Sequence, residues 1–370
     1  MAHTHAGRLE RWLGTAEVER ISAATRHWYG PPIPVAGVPG RVYAMPGGDF
    51  CGPIRGGYYA TLWDVVRDRL RRAMHTWARH QRVTCNTGFA SLSDLISEAT
   101  AGGKSRYFAY QKVGTTGVVA ATNSLFRVGN QPSAGAAAAA APGGTAPTDA
   151  SVGAFPFGNP TNPDTQHLVR WDGTASVVAN TLLLYDRIFA VLKAMASTAT
   201  QAVTGVPTRY QSTTPGAVDS AEGNFLFVEC GTALAATAHN WTVCLYTDQS
   251  GNAGATLPSL VGNSANIANR LDHPVSQWFA PLAAGDSGIK ALTQMQCSAS
   301  VATGTIDFVI GHPLAFMPHP VANQMWVLDG INSAFNLTRI FDDACLALLE
   351  ITKPATGACT YSGLVQTVAG

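Results

Sequence analysis

The stretch IKALTQMQCSAS, residues 289–300, decides the fold class, because Ile289, Ala291, Thr293, Met295, Cys297 and Ala299 fall on alternate positions. A repeat of two marks a strand, whose successive side chains point to opposite faces. TIDFVIGHPLAF, residues 305–316, follows with Ile306, Phe308 and Ile310 in the same register. Upstream, NFLFVECG (224–231) precedes AHNWTVCLYT (238–247), in which His239, Trp241, Val243 and Leu245 share a face, and DQSGN (248–252) supplies a turn. Turn signals at such short intervals favour antiparallel pairing over βαβ units. The expected fold is mainly β (α+β): an antiparallel β-sandwich body, running from about residue 105 to the end, with an N-terminal extended arm and amphipathic helices.

Outside these strands the pattern reads as helix and loop. Residues 8–29 carry a short helical repeat, and residues 30–57 are so dense in Pro and Gly that they read as an extended arm. From Thr61 a basic amphipathic helix is expected: Leu62, Val65, Val66, Leu70, Ala73 and Trp77 line one face, while Arg67, Arg69, Arg71, Arg72, Arg79 and Arg82 lie mostly elsewhere. Ser91 followed by Leu92, Leu95, Ile96 and Ala99 predicts a second helix, closed by Gly102 and Gly103. Residues 134–150, AGAAAAAAPGGTAPTDA, read as a flexible or extended loop. VVANTLLLYDRIFAVLKAMA (177–196) reads as a globular helix, too interrupted by Asp186, Arg187 and Lys193 to span a membrane, and DDACLALLEI (342–351) as a final helix. Three regions result: 1–88, an arm with strap and basic helix; 89–200, mixed helix and loop; 201–370, the antiparallel body with a short C-terminal helix.

Charged residues make up 13% of the 370-residue chain, about half the roughly 25% usual for soluble domains, which suggests surfaces covered by neighbouring subunits. The net charge of +1 argues against a dedicated nucleic-acid binder. Charge is nevertheless uneven: residues 1–112 hold 15 Lys and Arg against 8 Asp and Glu, leaving the remainder acidic. A basic segment of this kind meets something acidic, whether packaged genome contacted without sequence preference or the acidic body of another copy. The seven cysteines show no C-x-x-C spacing and read as buried free thiols of a protein made in a reducing cytosol, and the N-terminus lacks the apolar core of a signal peptide.

Gly285-Asp286-Ser287-Gly288 is the one stretch that imitates a catalytic motif, the surroundings of a serine-protease nucleophile. Such an enzyme needs a histidine base, an orienting acid and oxyanion donors. His239 with Asp248 or Asp272 is the available set, but His239 lies only 47 residues before Ser287 and Ile289 stands where a further Gly is usual. The alternative is a turn in which Asp286 and Ser287 bond their own backbone and Gly288 takes a positive φ. His3, His5, His75, His80, His273, His312 and His319 show no i,i+4 zinc spacing, Asp248 alone makes no calcium loop, and no phosphate-binding or dinucleotide fingerprint occurs. Catalytic, cofactor and metal residues are therefore none. The candidates for contact with other subunits are Arg67, Arg69, Arg72, Trp77, Arg79, Trp278 and Phe279.

Four stretches, SLSDLISEATAGGKS (91–105), NWTVCLYTDQSGNAGATLPSL (240–260), FAPLAAGDSGIKAL (279–292) and DDACLALLEI, resemble in order a family of virion structural proteins of tailed bacteriophages. The resemblance implies a particle protein without catalytic residues, and the reading taken from it is a capsid decoration or minor head protein, with the major capsid protein or a neck or tail protein as alternatives; a serine hydrolase using Ser287 is the weakest alternative and rests on the GDSG stretch, not on the resemblance. The expected partners are copies of itself, with a trimer as the guess, and other virion proteins, with no membrane, and the expected place is the virion after assembly in the host cytoplasm. About 88 residues precede the point where the resemblance begins; they would lace onto neighbouring subunits.

Overall fold

The computed structural model describes residues 33–34, 42–43, 89 and 91–370, less 117–118, 178–179, 331–336 and 352–356. The chain divides into two units, Met1–Cys85 and Asn86–Gly370. In the first, β1 (Ile33–Pro34) and β2 (Val42–Tyr43) pair antiparallel. The helix expected over 8–29, most of the Pro/Gly-rich arm and the basic helix, with Arg67, Arg69, Arg72, Trp77 and Arg79, lie outside the described residues.

The second unit begins with α1 (Leu92–Thr100), the helix expected from its pattern: Ser91 caps it by accepting from the Asp94 N–H at 3.2 Å. Strands follow: β3 (Ser105–Val113), β4 (Asn123–Ser124), β5 (Asn130–Gln131), β6 (Gln166–Ala175), β7 (Asn180–Ala194), β8 (Gln201–Ala202) and β9 (Phe225–Thr232). Then come β10 (Asn240–Asp248), β11 (Ala253–Thr256), β12 (Leu260–Val261), β13 (Ile289–Cys297), β14 (Thr305–His319), β15 (Trp326–Asp329), β16 (Arg339–Ile340), β17 (Leu346–Ile351) and β18 (Thr360–Ala369). Every ladder among the described strands is antiparallel, which makes the body the expected mainly β sandwich.

Two expected helices are strands. Residues 177–196 hold β7, and 342–351 hold β17, its neighbour in one sheet. Both lack alternation because both of their faces are covered: Leu182, Leu183, Leu184 and Tyr185 are all buried in succession, as are Leu346 to Leu349. A strand buried on both sides reads as a continuous apolar run, which periodicity cannot tell from a helix. The 89–200 region holds, beside α1 and its loops, the strands β3, β6 and β7, which occupy central places in two of the three sheets of the body.

The middle sheet runs β4-β17-β7-β14-β9, and its two edges are joined by the segment 269–272. On one side Ser124 N donates to Asn269 O (2.7 Å) and Leu271 N to Thr122 O (3.0 Å); on the other Cys230 N donates to Arg270 O (2.9 Å) and Asp272 N to Val228 O (2.7 Å). The sheet is therefore a small closed barrel, which leaves no unpaired edge along this stretch. Its interior holds Leu183, Tyr185, Phe225, Phe227, Leu271, Val309, Ala347 and Leu349. Beyond Asp186, where β17 ends, the Ala-rich loop takes over beside β7: Ala141 N bonds Leu192 O and Thr145 N bonds Ala190 O, at 3.1 and 2.7 Å. That loop is extended and pinned to the barrel.

The other two sheets pack on the outside of the barrel. A bulge at Ile188 switches the parity of β7, so its first half turns Leu182 and Leu184 to one sheet and its second half turns Phe189 and Val191 to the other. The first outer sheet, β15-β6-β18-β3-β5 with β16 beside β6, supplies Tyr110, Trp171, Tyr361 and Val365. The second, β11-β10-β13-β8 with β12 beside β10, supplies Trp241, Cys244, Tyr246, Leu292, Met295 and Cys297. Ile306, Phe308 and Ile310 face this second core as their spacing predicts. The neighbouring alternations are cut by bulges in the β10–β13 ladder, so Tyr246 and Leu292 face the core in place of Leu245 and Thr293.

Candidate functional site

Eleven Asp, Glu, Lys and Arg side chains are buried among the described residues, a burial that such groups tolerate only when paired. On the interior side of the barrel wall, Arg187 donates from Nη2 to Glu229 Oε1 at 2.7 Å and lies 3.6 Å from Asp307 Oδ2, which Arg127 approaches equally closely. The Arg187 guanidinium also lies over the Phe126 ring, 4.4 Å from its centroid. Burial works against ionisation of Glu229, but Arg187 outweighs it and holds the carboxyl below its ordinary value; Asp307, desolvated and beside the Glu229 charge, is pushed up to about 6.

Three further buried carboxylates fasten other parts to the barrel. Asp186 on β7 takes a two-pronged bond from Arg209, both contacts at 2.8 Å, and accepts from Cys345 N. Glu350 on β17 accepts from the Tyr361 hydroxyl of the first outer sheet at 2.7 Å and from Asn123 Nδ2 at 2.8 Å. Asp272, in the closing segment, holds the second outer sheet through His239 Nε2 (2.9 Å) and Trp241 Nε1 (3.0 Å). His239 is thus raised above its ordinary pKa: burial lowers it, and the Asp272 bond and charge more than compensate.

The same geometry separates the protease-like pieces. His239 sits before Trp241, which pairs with Cys297, whereas Ser287 sits before Ile289, which pairs with Asp248 at the other end of the ladder. At ~3.3 Å per residue the two lie roughly 25 Å apart. His239 Nδ1 is moreover within 3.0 Å of Thr237 O, so both ring nitrogens are engaged. Ser287 belongs to a turn, though not by the expected bonds: Ser287 N and Gly288 N donate to Gln249 Oε1 at 3.1 and 3.2 Å, and Asp286 accepts from the Tyr246 hydroxyl. The positive φ belongs to Gly285 (97°), while Gly288 is required because a Cβ there would lie 2.0 Å from Ala221 O. DQSGN is the expected hairpin turn, with Asp248 Oδ1 accepting from Ser250 N and Asn252 N.

Of the contact candidates, Trp278 is half-buried and packs edge-on against Phe225, Phe316 and Phe279, with centroids 5.6, 5.8 and 4.4 Å apart. Phe279 itself is exposed. A surface that the sequence did not single out is the outer face of the first outer sheet. The pairings align Ala109, Leu364, Asp172 and Val327 in one row across four strands, and Tyr107, Gln366, Arg170 and Asp329 in the next. Tyr107 is 59% exposed and Val327 51%, and Met325 beside β15 reaches 61%. One end of this face is covered by α1 through Leu95, packed on Val169 and Val368, and α1 presents Leu92 and Ile96 outward. Arg170 is tied to Asp172 at 2.8 Å, which further quiets the charge. The only sequence signal for this face was the exposed half of the β3 and β15 alternations.

The five described cysteines are buried free thiols; burial pushes Cys230, Cys244 and Cys345 up to about 12, far from a reactive thiolate. No described helix is long and apolar enough to cross a membrane.

No known family and no curated protein matches the chain. Among solved structures it is similar to a chain from the structure of infectious bursal disease virus, Gt strain, at 10% identity over 78% of this chain and 85% of that one, with a TM-score of 0.16. A likeness at that level carries no argument about fold or function.

Proposed function

We propose that this chain is a structural subunit of a virus particle, and in the finer reading a decoration or minor head protein of a tailed bacteriophage that acts by self-association without chemistry of its own. The observation that carries the reading is the disposition of charge: among the described residues seven carboxylates and two guanidinium groups are buried, while the outer face of β15-β6-β18-β3 offers Tyr107, Ala109, Val327 and Leu364 to another copy. Three strands of nine or ten residues and the four residues of β15, at ~4.8 Å between strands and ~3.3 Å per residue, make a face of roughly 500 Å² per partner, less the end under α1, which puts it at the small end of the range around the ~800 Å² of an interface of standard size. The ordered resemblance of four stretches to phage virion proteins supports the same reading. A trimer, partners among other virion proteins, and non-specific genome contact through the basic N-terminal segment belong to it as well. The separation of His239 from Ser287 counts against the hydrolase alternative.

The test is proteomic and hydrodynamic together. Purified particles from the virus that encodes this chain should contain it at fixed copy number, hundreds for shell or decoration and about a dozen for a neck. The purified chain should sediment as an oligomer that Val327→Glu returns to monomer. Absence from the particles, or a monomer at every concentration, overturns the reading.

A further inference from the structure

The first outer sheet, unlike the barrel, is open along one side of β3. β18 pairs with β3 from Ser105 to Val113 without a break in register, whereas β5 on the other side reaches only Gln111 and Lys112. Gly114 N donates to Cys359 O and Lys104 O accepts from Ala369 N, so the even-numbered residues of β3 turn their backbone groups to β18. The odd-numbered Ser105, Tyr107 and Ala109 therefore aim N–H and C=O away from the sheet, and no described backbone group bonds them there. Tyr107 and Ala109 are exposed. Natural edges are usually blunted by Lys, Pro or a bulge, and residues 105–109 have none of these. Arg106, the one charge in the segment, folds back and donates to the carbonyls of Phe157, Gly158 and Asn159.

We propose that this edge pairs with the same edge of a second copy, antiparallel and centred on Tyr107, a contact that rests on the assembly reading above. In that register Tyr107 faces Tyr107, and Ser105 faces Ala109 in both directions. The outward-aimed groups then meet as three pairs, each exchanging two hydrogen bonds, which makes about six in all. Centring the pairing one residue either way leaves only two such pairs, because Gln111 is already held by β5 and Gly103, at φ 65°, has left the strand. Like charges do not meet, since Arg106 falls opposite Phe108. The free stretch is also as long as the strand it would receive: β5 closes it at one end and Gly102-Gly103 at the other. The two outer sheets become one, with the Tyr107 rings side by side on the face that carries Val327. Such an isologous contact joins copies in twos and acts beside a three-fold one, not in place of it.

The full chain carrying Tyr107→Cys, mildly oxidised, should form a disulfide-linked dimer that the parent chain does not, since Cα atoms of such a pair lie ~5.5 Å apart, within disulfide reach. Ser105→Cys and Ala109→Cys, mixed, should cross-link to each other and not to themselves. Val113→Cys, at the end that β5 occupies, should not cross-link. Ala109→Pro removes an outward N–H and leaves the β18 ladder intact, so it should melt within a few degrees of the parent and self-associate about tenfold or more weakly in sedimentation. No dimer at Tyr107→Cys, or as much at Val113→Cys, overturns the pairing, and unchanged self-association in a folded Ala109→Pro does so too. A parent chain that still sediments as an oligomer then loses the edge contact alone, whereas one that is monomeric throughout loses the assembly reading with it. Amide exchange at Tyr107 and Ala109 that slows in particles without these cross-links gives the edge to a strand of another virion protein and overturns self-pairing.

Discussion

Acid should destabilise this protein through histidines that the fold requires to be neutral, and His273 is the clearest. Its Nε2 accepts the Val228 N–H at 2.8 Å, so a proton at that nitrogen would face a donor in a site with no exposed path to water. Burial accordingly lowers His273 from 6.5 to about 4, and His312 and His319 to about 4 for the same reason. The sign follows from proton counts: between pH 6.5 and 4 the unfolded chain binds protons at these three positions that the folded chain refuses, so their stabilisation is full above pH 6.5 and is lost as pH falls. Asp307 opposes them, since a carboxyl raised from 3.8 to about 6 is protonated earlier in the folded state. Near pH 5 these four groups together leave a balance of about two protons, a contribution of about 2.7 kcal/mol lost per pH unit. Replacing His273 with Gln keeps an acceptor for Val228 N–H and removes one titration, so the slope should fall to about 1.4 kcal/mol per unit and the variant should lose about 2 kcal/mol less between pH 7 and 4.5. Urea midpoints followed by tryptophan fluorescence at pH 7, 5.5 and 4.5 measure this. A wild-type chain whose stability is flat over that range, or an unchanged slope in His273→Gln, refutes the reasoning.

Other outcomes follow from particular contacts. Glu229→Gln should cost about 3–5 kcal/mol in urea unfolding at pH 7, because it strands the buried Arg187 charge. Ser287→Ala should change stability by less than about 0.5 kcal/mol, whereas Gly288→Ala should cost about 1–3 kcal/mol through the Ala221 carbonyl; equal effects at the two positions would contradict the turn described. Leu184→Ala, at the junction of barrel and first outer sheet, should cost about 2–5 kcal/mol. Tyr107→Glu should leave the melting temperature nearly unchanged and, like Val327→Glu, lower the sedimentation coefficient.

The fold class was legible where a strand keeps one face in water or polar contact, as for Met295 and Cys297, which are buried and alternate with the part-exposed Gln294 and Gln296. It was illegible where both faces are covered. Asp186, Arg187 and Lys193 interrupt the apolar run 177–196 and so pointed to a globular helix, yet each is buried with a partner supplied from elsewhere in the chain: Arg209, Glu229, and Ser197 with Gln201. No spacing rule pairs Arg187 with Glu229, because the pairing exists only once β9 and β7 lie in one barrel. The GDSG turn could be recognised as a turn, but its bonds to Tyr246 and Gln249 depend on the β10–β13 register and its three shifts. Trp278 and Phe279 stood out as a pair, and only the structure separates the packed ring from the exposed one.

The order of strands in the first outer sheet sets the timing of its folding. β18 lies between β6 and β3, which do not touch each other as neighbours, and it is made about 185 residues after β6. Until residues 360–369 leave the ribosome, β3 and β6 each present an unsatisfied edge, and the Tyr361–Glu350 bond to the barrel does not exist. At ~5–20 residues per second the nascent chain spends roughly 10–40 s in that state, long enough for such edges to meet those of another nascent copy. Yield should therefore depend on synthesis rate and chaperone supply more steeply than the stability of the finished molecule would suggest.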